Sequence, residues 1–447
     1  MALAKEAVSH NDVWLPDWKD TPYWHEGLTA PSGLTTTLPQ SVDVVIVGSG
    51  YTGLNAAIET ARGGRSTLVL DAGDPGHGCS TRNGGQISTS IKPSYGKLAA
   101  KHGPAHAKAI RDEGKAALDW IEARIKDEGI DCAFQRAGRF HAAHTPQHYE
   151  ELARESEVLA REDGIASHVV ERSEQRRELG TDCYYGGLLF PHHASVDPGR
   201  YHRGLLDRAV AAGAQVVGQC EMVSVERHQG GFEVRTRKGI VRAKDVAIGT
   251  NGYTGEATPW LQRRVIPIGS YIIATEELPQ DLVDQLFPTN RIASDTCKVV
   301  YYYRTSPDRR RILFGGRVSA NETDSWVSGP KLYKDMCRIF PELRDYRISH
   351  SWMGTVAYTF DELPHTGRQD GLYYAMGYCG SGVSMASYLG MRMGQKVLGL
   401  EDGRTAFDDV SFTTRPLYTG KPWFLPPMVA WYRWRDRVQY ERSKKTA

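Results

Sequence analysis

The sequence predicts an α/β fold, and three observations lead to that prediction. Residues 42–47 (VDVVIV) form a nearly unbroken β-branched run, which is typical of a strand buried on both faces of a parallel sheet. A glycine-rich turn, a helix and a second strand follow at once, and another strand–turn–helix unit begins near residue 371. Between these units, residues 264–274, 299–303 and 312–316 are β-rich and separated by turn signals, which indicates further strands.

The composition excludes several classes of protein. The 447 residues include 55 Lys+Arg and 53 Asp+Glu, a net charge of +2 without a basic stripe, so we expect no nucleic-acid partner. The seven cysteines contain no CxxC pair, which fits neither a disulfide scaffold nor a zinc ribbon. Four histidines lack a Cys or carboxylate at ligand spacing, so we expect no metal site; they are His141, His144, His192 and His193.

The two ends of the chain bear on its location. Residues 1–39 lack the apolar run of a secretory signal, so we expect a cytoplasmic protein. The apolar stretch 422–434 is too short to span a bilayer and is broken by Pro426 and Pro427. We expect it to pack over the body of the protein, with insertion into a membrane interface as the alternative.

The first glycine turn has the pattern GxGxxG and predicts dinucleotide binding. It consists of Gly48, Ser49, Gly50, Tyr51, Thr52 and Gly53. The first glycine permits the turn, the second lets the backbone approach a pyrophosphate, and the third allows close helix–strand packing. Asp71 ends the next strand 23 residues after Gly48, near the spacing expected for an acid that binds an adenosine ribose.

The segment after Asp71 favours FAD over a nicotinamide cofactor. A nicotinamide-binding domain would continue with further strand–helix units, whereas residues 74–90 are irregular and rich in Gly, Ser, Thr and Asn. The second strand–turn–helix unit, with its turn at 377–382, could direct its helix N-terminus at the flavin ring. Gly390 and Gly394 in that helix predict close packing against another helix rather than membrane dimerisation.

With these motifs the chain resembles the FAD-dependent D-amino-acid oxidase and sarcosine oxidase superfamily. Besides the two glycine turns, the matching motifs are Arg82-Asn83-Gly84-Gly85-Gln86, Thr250-Asn251-Gly252-Tyr253-Thr254, Phe314-Gly315-Gly316-Arg317, Trp352-Met353-Gly354-Thr355 and the stretch 359–367 (TFDELPHTG).

The resemblance implies a Rossmann-like FAD-binding domain assembled from discontinuous segments and an α+β substrate domain with an antiparallel sheet, an architecture similar to that of glutathione-reductase-2-like flavoproteins. The expected segments are an N-terminal extension at 1–40, the FAD domain at 41–95, 191–257 and 351–402, the substrate domain at 96–190 and 258–350, and a C-terminal extension at 403–447.

The resemblance also implies the cofactor-binding residues. They are Gly48, Ser49, Gly50, Tyr51, Thr52, Gly53, Asp71, Ala72, Ser80, Thr81, Arg82, Asn83, Gly84, Gly85, Gln86, Met222, Val223, Thr250, Asn251, Gly252, Gly377, Tyr378, Gly380, Ser381, Gly382 and Val383. We expect noncovalent FAD, with His77, Cys79 and Cys379 as the anchors if the flavin is covalently attached.

The chemistry implied is hydride transfer from a carbon that bears nitrogen to flavin N5, followed by hydrolysis of the imine. The substrate would be a small-molecule amine, such as a γ-glutamylated polyamine, or an amino acid, and dioxygen or another electron acceptor would reoxidise the flavin. An amino-acid or sarcosine-type dehydrogenase and a flavoprotein subunit that passes electrons to a partner remain open.

The substrate-pocket candidates are Tyr303, Trp352, His365 and Arg317. On the strand predicted at 299–303, Tyr301 and Tyr303 share a face that could enclose a substrate or pack in a core, while Tyr302 points away. Trp352 and His365 could line the ring or be structural. Arg82 or Arg317 could bind a substrate carboxylate through a bidentate pair of hydrogen bonds. A salt bridge within the protein or a contact with a phosphate group would explain either arginine equally well.

Overall fold

The structure is a computed structural model that describes residues 13–89, 91–317 and 323–446, with side chains described as far as residue 442. Its strands are β1 (Trp14–Lys19), β2 (Ser41–Val47), β3 (Thr67–Leu70), β4 (Gln86–Ile87), β5 (Arg139–Ala142), β6 (His168–Val170), β7 (Gly187–Phe190), β8 (Ala194–Ser195), β9 (Gln215–Val217), β10 (Met222–His228), β11 (Gly231–Thr236), β12 (Gly239–Ile248), β13 (Ile266–Thr275), β14 (Ile292–Asp295), β15 (Tyr302–Thr305), β16 (Ile312–Gly316), β17 (Ile348–Tyr358), β18 (His365–Gln369) and β19 (Leu372–Met376).

The helices of the described residues connect these strands. They are α1 (Tyr51–Arg62), α2 (Tyr95–His102), α3 (Pro104–Asp127), α4 (Pro146–Val158), α5 (Pro198–Ala211), α6 (Pro259–Gln262), α7 (Gln280–Leu286), α8 (Ser325–Ile339), α9 (Gly382–Val397) and α10 (Leu425–Thr446). No helix in the described part of the chain is both long and apolar enough to cross a bilayer.

An eight-stranded sheet contains the first glycine turn. Its main path is β10-β11-β12-β2-β3-β9, and β19, which pairs with β18, joins it at β12. Strand β2 runs parallel to both neighbours, β12 and β3. Val44 and Ile46 pack toward the helices on one face, and Val45 and Val47 pack into the core on the other. This two-sided burial explains the nearly unbroken apolar run predicted as a strand.

Helix α9 packs directly on α1, as its two glycines predict. A Cβ atom at Gly390 would overlap the carbonyl oxygen of Thr52, and one at Gly394 would lie 2.9 Å from the carbonyl oxygen of Ala56. The small residues therefore let the two helix backbones approach each other. This contact holds the start of α1 against the helix that follows the second glycine turn.

A nine-stranded, mostly antiparallel sheet forms the second layer, in the order β1-β17-β13-β16-β15-β14-β5-β7-β6. Strand β13 pairs antiparallel with both β16 and β17. One face of the sheet forms an apolar core with α8, to which Tyr301, Tyr303 and Phe314 contribute. Tyr302 projects from the opposite face, so the face shared by Tyr301 and Tyr303 is the packed one.

Several element boundaries differ from the sequence prediction. The strand expected at 299–303 begins only at Tyr302 and continues to Thr305. Helix α4 ends at Val158, and the chain continues as a π-helical turn, Leu159–Asp163. The C-terminal stretch forms α10, because Pro426 and Pro427 lie in its first turn, where proline is tolerated.

Candidate functional site

A cavity of about 1730 Å³ is lined by residues of both sheets. Pockets for single small ligands have volumes of about 300 to 1,000 Å³, so this cavity has room for more than one such molecule. It extends from the first glycine turn past β15 and β14 to β5 and α4. Leu425, Met428, Val429 and Tyr432 of α10 line another side of it.

The first glycine turn has the geometry that a bound pyrophosphate requires. Gly48 has φ +98°, a Cβ atom at Gly53 would overlap the carbonyl oxygen of Gly48, and one at Gly50 would lie 2.8 Å from Ser80 Oγ. Gly50 caps α1 without a side chain, so the helix N-terminus faces the cavity with backbone N–H groups. Thus the turn fits the phosphate-bearing part of FAD.

Asp71 closes this turn from the end of β3. Its carboxylate accepts hydrogen bonds from Ser49 N at 2.8 Å, Ser49 Oγ at 2.5 Å and Gly73 N at 3.0 Å. Asp71 also lines the cavity, whereas Ser49 does not. The acid therefore shapes the turn and borders the region where a ribose would lie.

The second glycine turn meets the first. Gly377, Cys379 and Gly380 all have positive φ, at +80°, +51° and +95°. Thr52 Oγ1 and the Tyr378 hydroxyl are 2.6 Å apart, which joins the start of α1 to this turn. Thus the structure brings together two glycine turns that are more than 300 residues apart in the sequence.

The turn at 250–252 is connected to the second glycine turn by one hydrogen bond. Gly377 N donates to Asn251 Oδ1 at 2.9 Å. Asn251 has φ +46°, a conformation that asparagine tolerates better than most residues. The separated segments that the resemblance assigns to one FAD domain therefore converge at a single place.

The loop after Asp71 is held by its own polar groups. Asn83 Nδ2 donates to the carbonyl oxygens of Cys79 and Ser80, both at 3.0 Å, and Asn83 Oδ1 accepts from Gly85 N at 2.8 Å. Arg82 donates from Nε to the His77 carbonyl at 2.7 Å and from Nη1 to the Met353 carbonyl at 3.2 Å. These bonds hold the Arg82 guanidinium against the backbone, and its contact with a substrate carboxylate stays a prediction.

Most residues expected at the cofactor line the cavity. They are Gly48, Gly50, Tyr51, Thr52, Asp71, Ala72, Ser80, Arg82, Asn83, Gly84, Gln86, Met222, Val223, Thr250, Asn251, Tyr378, Gly380, Ser381, Gly382 and Val383. The others lie behind this lining, and they are Ser49, Gly53, Thr81, Gly85, Gly252 and Gly377. The cofactor contacts of both groups of residues stay a prediction.

Three of the four substrate-pocket candidates do not line the cavity. Tyr303 lies in the core of the second sheet, stacked on Phe314, and its hydroxyl donates to the Tyr184 hydroxyl at 3.0 Å. Trp352 is fully buried and donates from Nε1 to the Arg82 carbonyl at 3.0 Å. Both rings are occupied by packing and hydrogen bonds away from the cavity lining, and a contact of either with substrate stays a prediction.

His365 also lies outside the cavity lining, and its role in the substrate pocket stays a prediction. Its Nε2 lies 3.0 Å from Asp361 Oδ1, and its ring stacks on Phe412 at 4.1 Å. The remaining candidate, Arg317, does line the cavity. The alternation of the strand places Tyr302 there instead of Tyr303.

Tyr302 is the member of the Tyr301–Tyr303 run that lines the cavity, because Tyr301 and Tyr303 are packed in the core on the other face of the sheet. Its ring covers Gly315, where a Cβ atom would overlap the ring, and it also lies over Gly84. Its hydroxyl is 2.7 Å from Ser270 Oγ, and burial raises its pKa, so the phenol stays protonated. The paired glycines at 315–316 are the sequence signal for this close approach.

The two cysteines considered as covalent anchors are held as thiols. Burial raises the pKa of Cys79 to about 12 and that of Cys379 to about 11. Cys379 Sγ also donates to the Gly377 carbonyl at 3.1 Å. Because the thiolate is the nucleophilic form, both groups are poorly prepared for attachment to a flavin.

A separate part of the cavity was missed by sequence reasoning. Arg139 and His141 of β5 line it from the sheet, and Glu151, Glu155 and Leu152 line it from α4. We call this region the side chamber. Its charged residues come from segments without a recognisable motif, so only the folded structure brings them together.

The described residues form no cluster of metal ligands. Across residues 13–89, 91–317 and 323–446, no group of three or more His, Cys, Asp or Glu side chains is arranged to hold a metal ion. His144 and His193 are instead buried, His141 is partly buried at the cavity wall, and desolvation lowers the pKa of each.

Comparisons with known proteins identify the family. The DAO family, described as FAD dependent oxidoreductase, matches residues 43–396. Gamma-glutamylputrescine oxidoreductase of Escherichia coli is 31% identical over 407 residues, which cover 90% of this chain and 95% of the relative. A probable oxidoreductase, OrdL, of Haemophilus influenzae is 29% identical, covering 83% of this chain and 86% of the relative.

The fold is also similar to solved structures. Glycine oxidase from Geobacillus kaustophilus superposes with a TM-score of 0.70 at 19% identity, covering 85% of this chain and 99% of that one. L-proline dehydrogenase from P. horikoshii gives a TM-score of 0.67 at 17% identity, covering 88% and 99%. The chain belongs to the DAO family and is an FAD-dependent oxidoreductase of amines or amino acids.

Proposed function

We propose that the protein oxidises the primary amine of a γ-glutamylated diamine such as γ-glutamylputrescine, with FAD bound noncovalently. The observation that carries this proposal is the similarity to the Escherichia coli gamma-glutamylputrescine oxidoreductase, which spans nearly the whole of both chains. The cavity supports it, because its continuation beyond the glycine turns leaves room for an extended substrate.

We propose that the two converging glycine turns hold the cofactor. Gly48, Gly50 and the N-terminus of α1 would bind the pyrophosphate, Asp71 would border the adenosine ribose, and the start of α9 would face the flavin ring. When bound, FAD accepts a hydride from the carbon that bears nitrogen and later passes the electrons to dioxygen or another acceptor. The division into an FAD-binding domain and a substrate domain, with the segment boundaries given under the sequence analysis, is part of this proposal.

The residues of the chain would supply orientation and a dry environment. Tyr302, Tyr358, Met428 and Tyr432 line the cavity with aromatic and apolar surface. Such surroundings disfavour an ammonium ion and therefore favour the neutral amine, which is the form that can lose a hydride. The Tyr302 phenol, held by Ser270, limits the position of a substrate beside the ring site.

A spectroscopic experiment tests the proposed function. The purified flavoprotein is mixed anaerobically with γ-glutamylputrescine, and the visible flavin absorbance is followed before and after air is admitted. We expect bleaching, and recovery with peroxide release if dioxygen is the acceptor. Matched additions of putrescine, sarcosine and glycine serve as comparisons. Bleaching by the amino acids alone would favour an amino-acid dehydrogenase, and no bleaching by any amine would favour an electron-transferring subunit.

A further inference from the structure

We propose that the side chamber binds an α-amino-acid head group at the end of the substrate remote from the reacting amine, with Arg139 binding its carboxylate and Glu155 its ammonium group. This inference rests on the proposed function, because it assigns the distal end of the substrate. It makes Arg139 and Glu155 the residues that select a γ-glutamylated amine over a simple amine.

Arg139 lies at the cavity wall and has no carboxylate partner among the described residues. Its Nε donates to Ser294 Oγ at 2.9 Å, and its Nη2 lies 3.2 Å from His141 Nδ1. Its guanidinium lies over the Phe190 ring, 6.0 Å from the centroid. Among the described residues, no acidic side chain is within ion-pairing distance of it. Desolvation lowers the pKa of Arg139 to about 10, and the charge of Glu155 partly offsets that effect.

Glu155 is the complementary anion on the opposite wall. It follows Glu151 and Leu152 on the face of α4 that lines the cavity, and its carboxylate makes no hydrogen bond or ion pair with another described residue. Desolvation raises its pKa, while the nearby charges of Arg111 and Arg139 lower it. Thus Arg139 and Glu155 influence each other's charge without touching.

An α-amino-acid head group matches this arrangement. It carries a carboxylate and an ammonium group on one carbon, so a single ligand can pair with a guanidinium and a carboxylate that line the same chamber. The planar fork of arginine suits bidentate binding of a carboxylate. Arg139 has no carboxylate partner and Glu155 has no cationic partner among the described residues, so one zwitterionic ligand would pair with both at once.

The position of the side chamber agrees with the length of a γ-glutamylated diamine. Tyr302 of β15 is paired directly with Ser294 of β14, which is paired directly with His141 of β5. All three line the cavity, so they share one sheet face. Two strand spacings separate Tyr302 from His141 by about 10 Å. Eight bonds join the head-group α-carbon of γ-glutamylputrescine to the carbon bearing the amine, an extended span of about 10 Å.

Two substrates and two pairs of variants test the proposal. γ-Glutamylputrescine carries the charged head group, whereas N-acetylputrescine retains the amide and the reacting amine but lacks both head-group charges. We expect Arg139→Gln and Glu155→Gln each to raise KM for γ-glutamylputrescine by about 10- to 100-fold while changing kcat little. KM for N-acetylputrescine should change less than about 3-fold, because that ligand makes neither ion pair.

The matched controls remove the same charges from the solvent-facing side of α4. Arg154 and Glu150 have side chains that are 67% and 69% exposed and lie 3.9 Å apart. Arg154→Gln and Glu150→Gln should leave both KM values unchanged. Arg139→Lys, which keeps the charge but loses the fork, should give an intermediate KM. A parallel rise for both substrates in Arg139→Gln and Glu155→Gln would overturn the proposal.

A binding measurement separates this proposal from the proposed function. L-Glutamine carries the head group and the γ-amide but no distal amine, so its binding can be measured by calorimetry without turnover. We expect wild-type protein to bind it and Arg139→Gln and Glu155→Gln to weaken that binding by about 10-fold or more. If γ-glutamylputrescine is not oxidised but this pattern holds, the head-group site stands and the diamine assignment fails. Equal glutamine binding by wild type and both variants, or none by wild type, would overturn the site.

Discussion

Replacing Gly390 by alanine tests whether the contact between α9 and α1 positions the first glycine turn. The new Cβ atom would overlap the carbonyl oxygen of Thr52 and lie 2.7 Å from its Cα atom, closer than real Cβ contacts come. Because these atoms belong to the backbone, the two helices must separate. Overpacking of this kind costs about 1 to 3 kcal/mol of unfolding free energy.

The same displacement should weaken FAD binding, because Thr52 lies in the glycine turn and its hydroxyl bonds the second turn through Tyr378. A loss of about 1 to 2 kcal/mol in the turn corresponds to roughly 5- to 30-fold weaker FAD binding. Denaturant unfolding and reconstitution of the FAD-free protein, followed by flavin fluorescence, measure the two effects.

Gly96→Ala is the matched control for Gly390→Ala. Gly96 lies in α2, and a Cβ atom there meets nothing within 4 Å. The substitution should leave FAD affinity unchanged and could raise stability by up to about 1 kcal/mol, because alanine favours the helix. If Gly390→Ala were as stable as Gly96→Ala and bound FAD as tightly as wild type, the reasoning about close helix packing would be refuted.

Three further predictions concern the turn, the histidines and the C-terminal helix. Asp71→Asn should lower the unfolding free energy by about 1 to 3 kcal/mol and weaken FAD binding in reconstitution assays. The reason is that both carboxylate oxygens of Asp71 accept hydrogen bonds from Ser49 and Gly73, whereas an amide has only one accepting oxygen. Unchanged stability and FAD affinity would contradict the role of Asp71. Burial lowers the pKa of His144 to about 4, below its ordinary 6.5, so the folded state binds fewer protons and loses stability as pH falls from about 6.5 to about 4. His144→Gln should make the unfolding free energy depend less steeply on pH in this range, by at most about 1.4 kcal/mol per pH unit. The same pH dependence in the variant and the wild type would argue against a neutral His144 in the folded state. Asp436 of α10 accepts hydrogen bonds from the backbone N–H groups of Lys298 and Val299 at 3.1 and 3.0 Å. Asp436→Ala should therefore loosen α10 and speed its removal by limited proteolysis. A cleavage rate equal to that of the wild type would exclude this anchor.

Local sequence patterns were sufficient for the nucleotide-binding half of the fold. The apolar run of β2, the turn at Gly48 and the acid at Asp71 form one continuous segment whose geometry depends on neighbouring residues. The second turn at Gly377 has the same local signals, and the structure joins it to the first through Thr52 and Tyr378. The glycines of α9 also predicted their own packing, because a missing side chain has a direct steric consequence.

The substrate side was harder to predict because its residues depend on which sheet face meets the cavity. The alternation of Tyr301, Tyr302 and Tyr303 was evident, but alternation alone does not say which face is packed. Trp352 and His365 were chosen for their chemistry, and the structure assigns both to packing and hydrogen bonding.

The side chamber had no sequence signal at all. Arg139 and Glu155 come from a strand and a helix without a motif, and only the folded chain places them across one cavity. In the sequence, Arg139 and Glu155 therefore look like ordinary surface charges, because neither belongs to a motif or lies near the glycine turns. The sequence also did not predict that helix α10 lines the cavity. Pro426 and Pro427 suggested an interrupted segment, but they lie in the first turn of the helix, where proline is tolerated.

Hydrogen–deuterium exchange of the FAD-free and FAD-loaded protein tests most directly whether the two glycine turns form one cofactor site. The structure leads us to expect slower amide exchange on loading in two separate segments, residues 48–54 and 377–385, together with the loop that follows Asp71. Slowing in only one of the glycine turns, or in neither, would contradict the convergence on which the account depends.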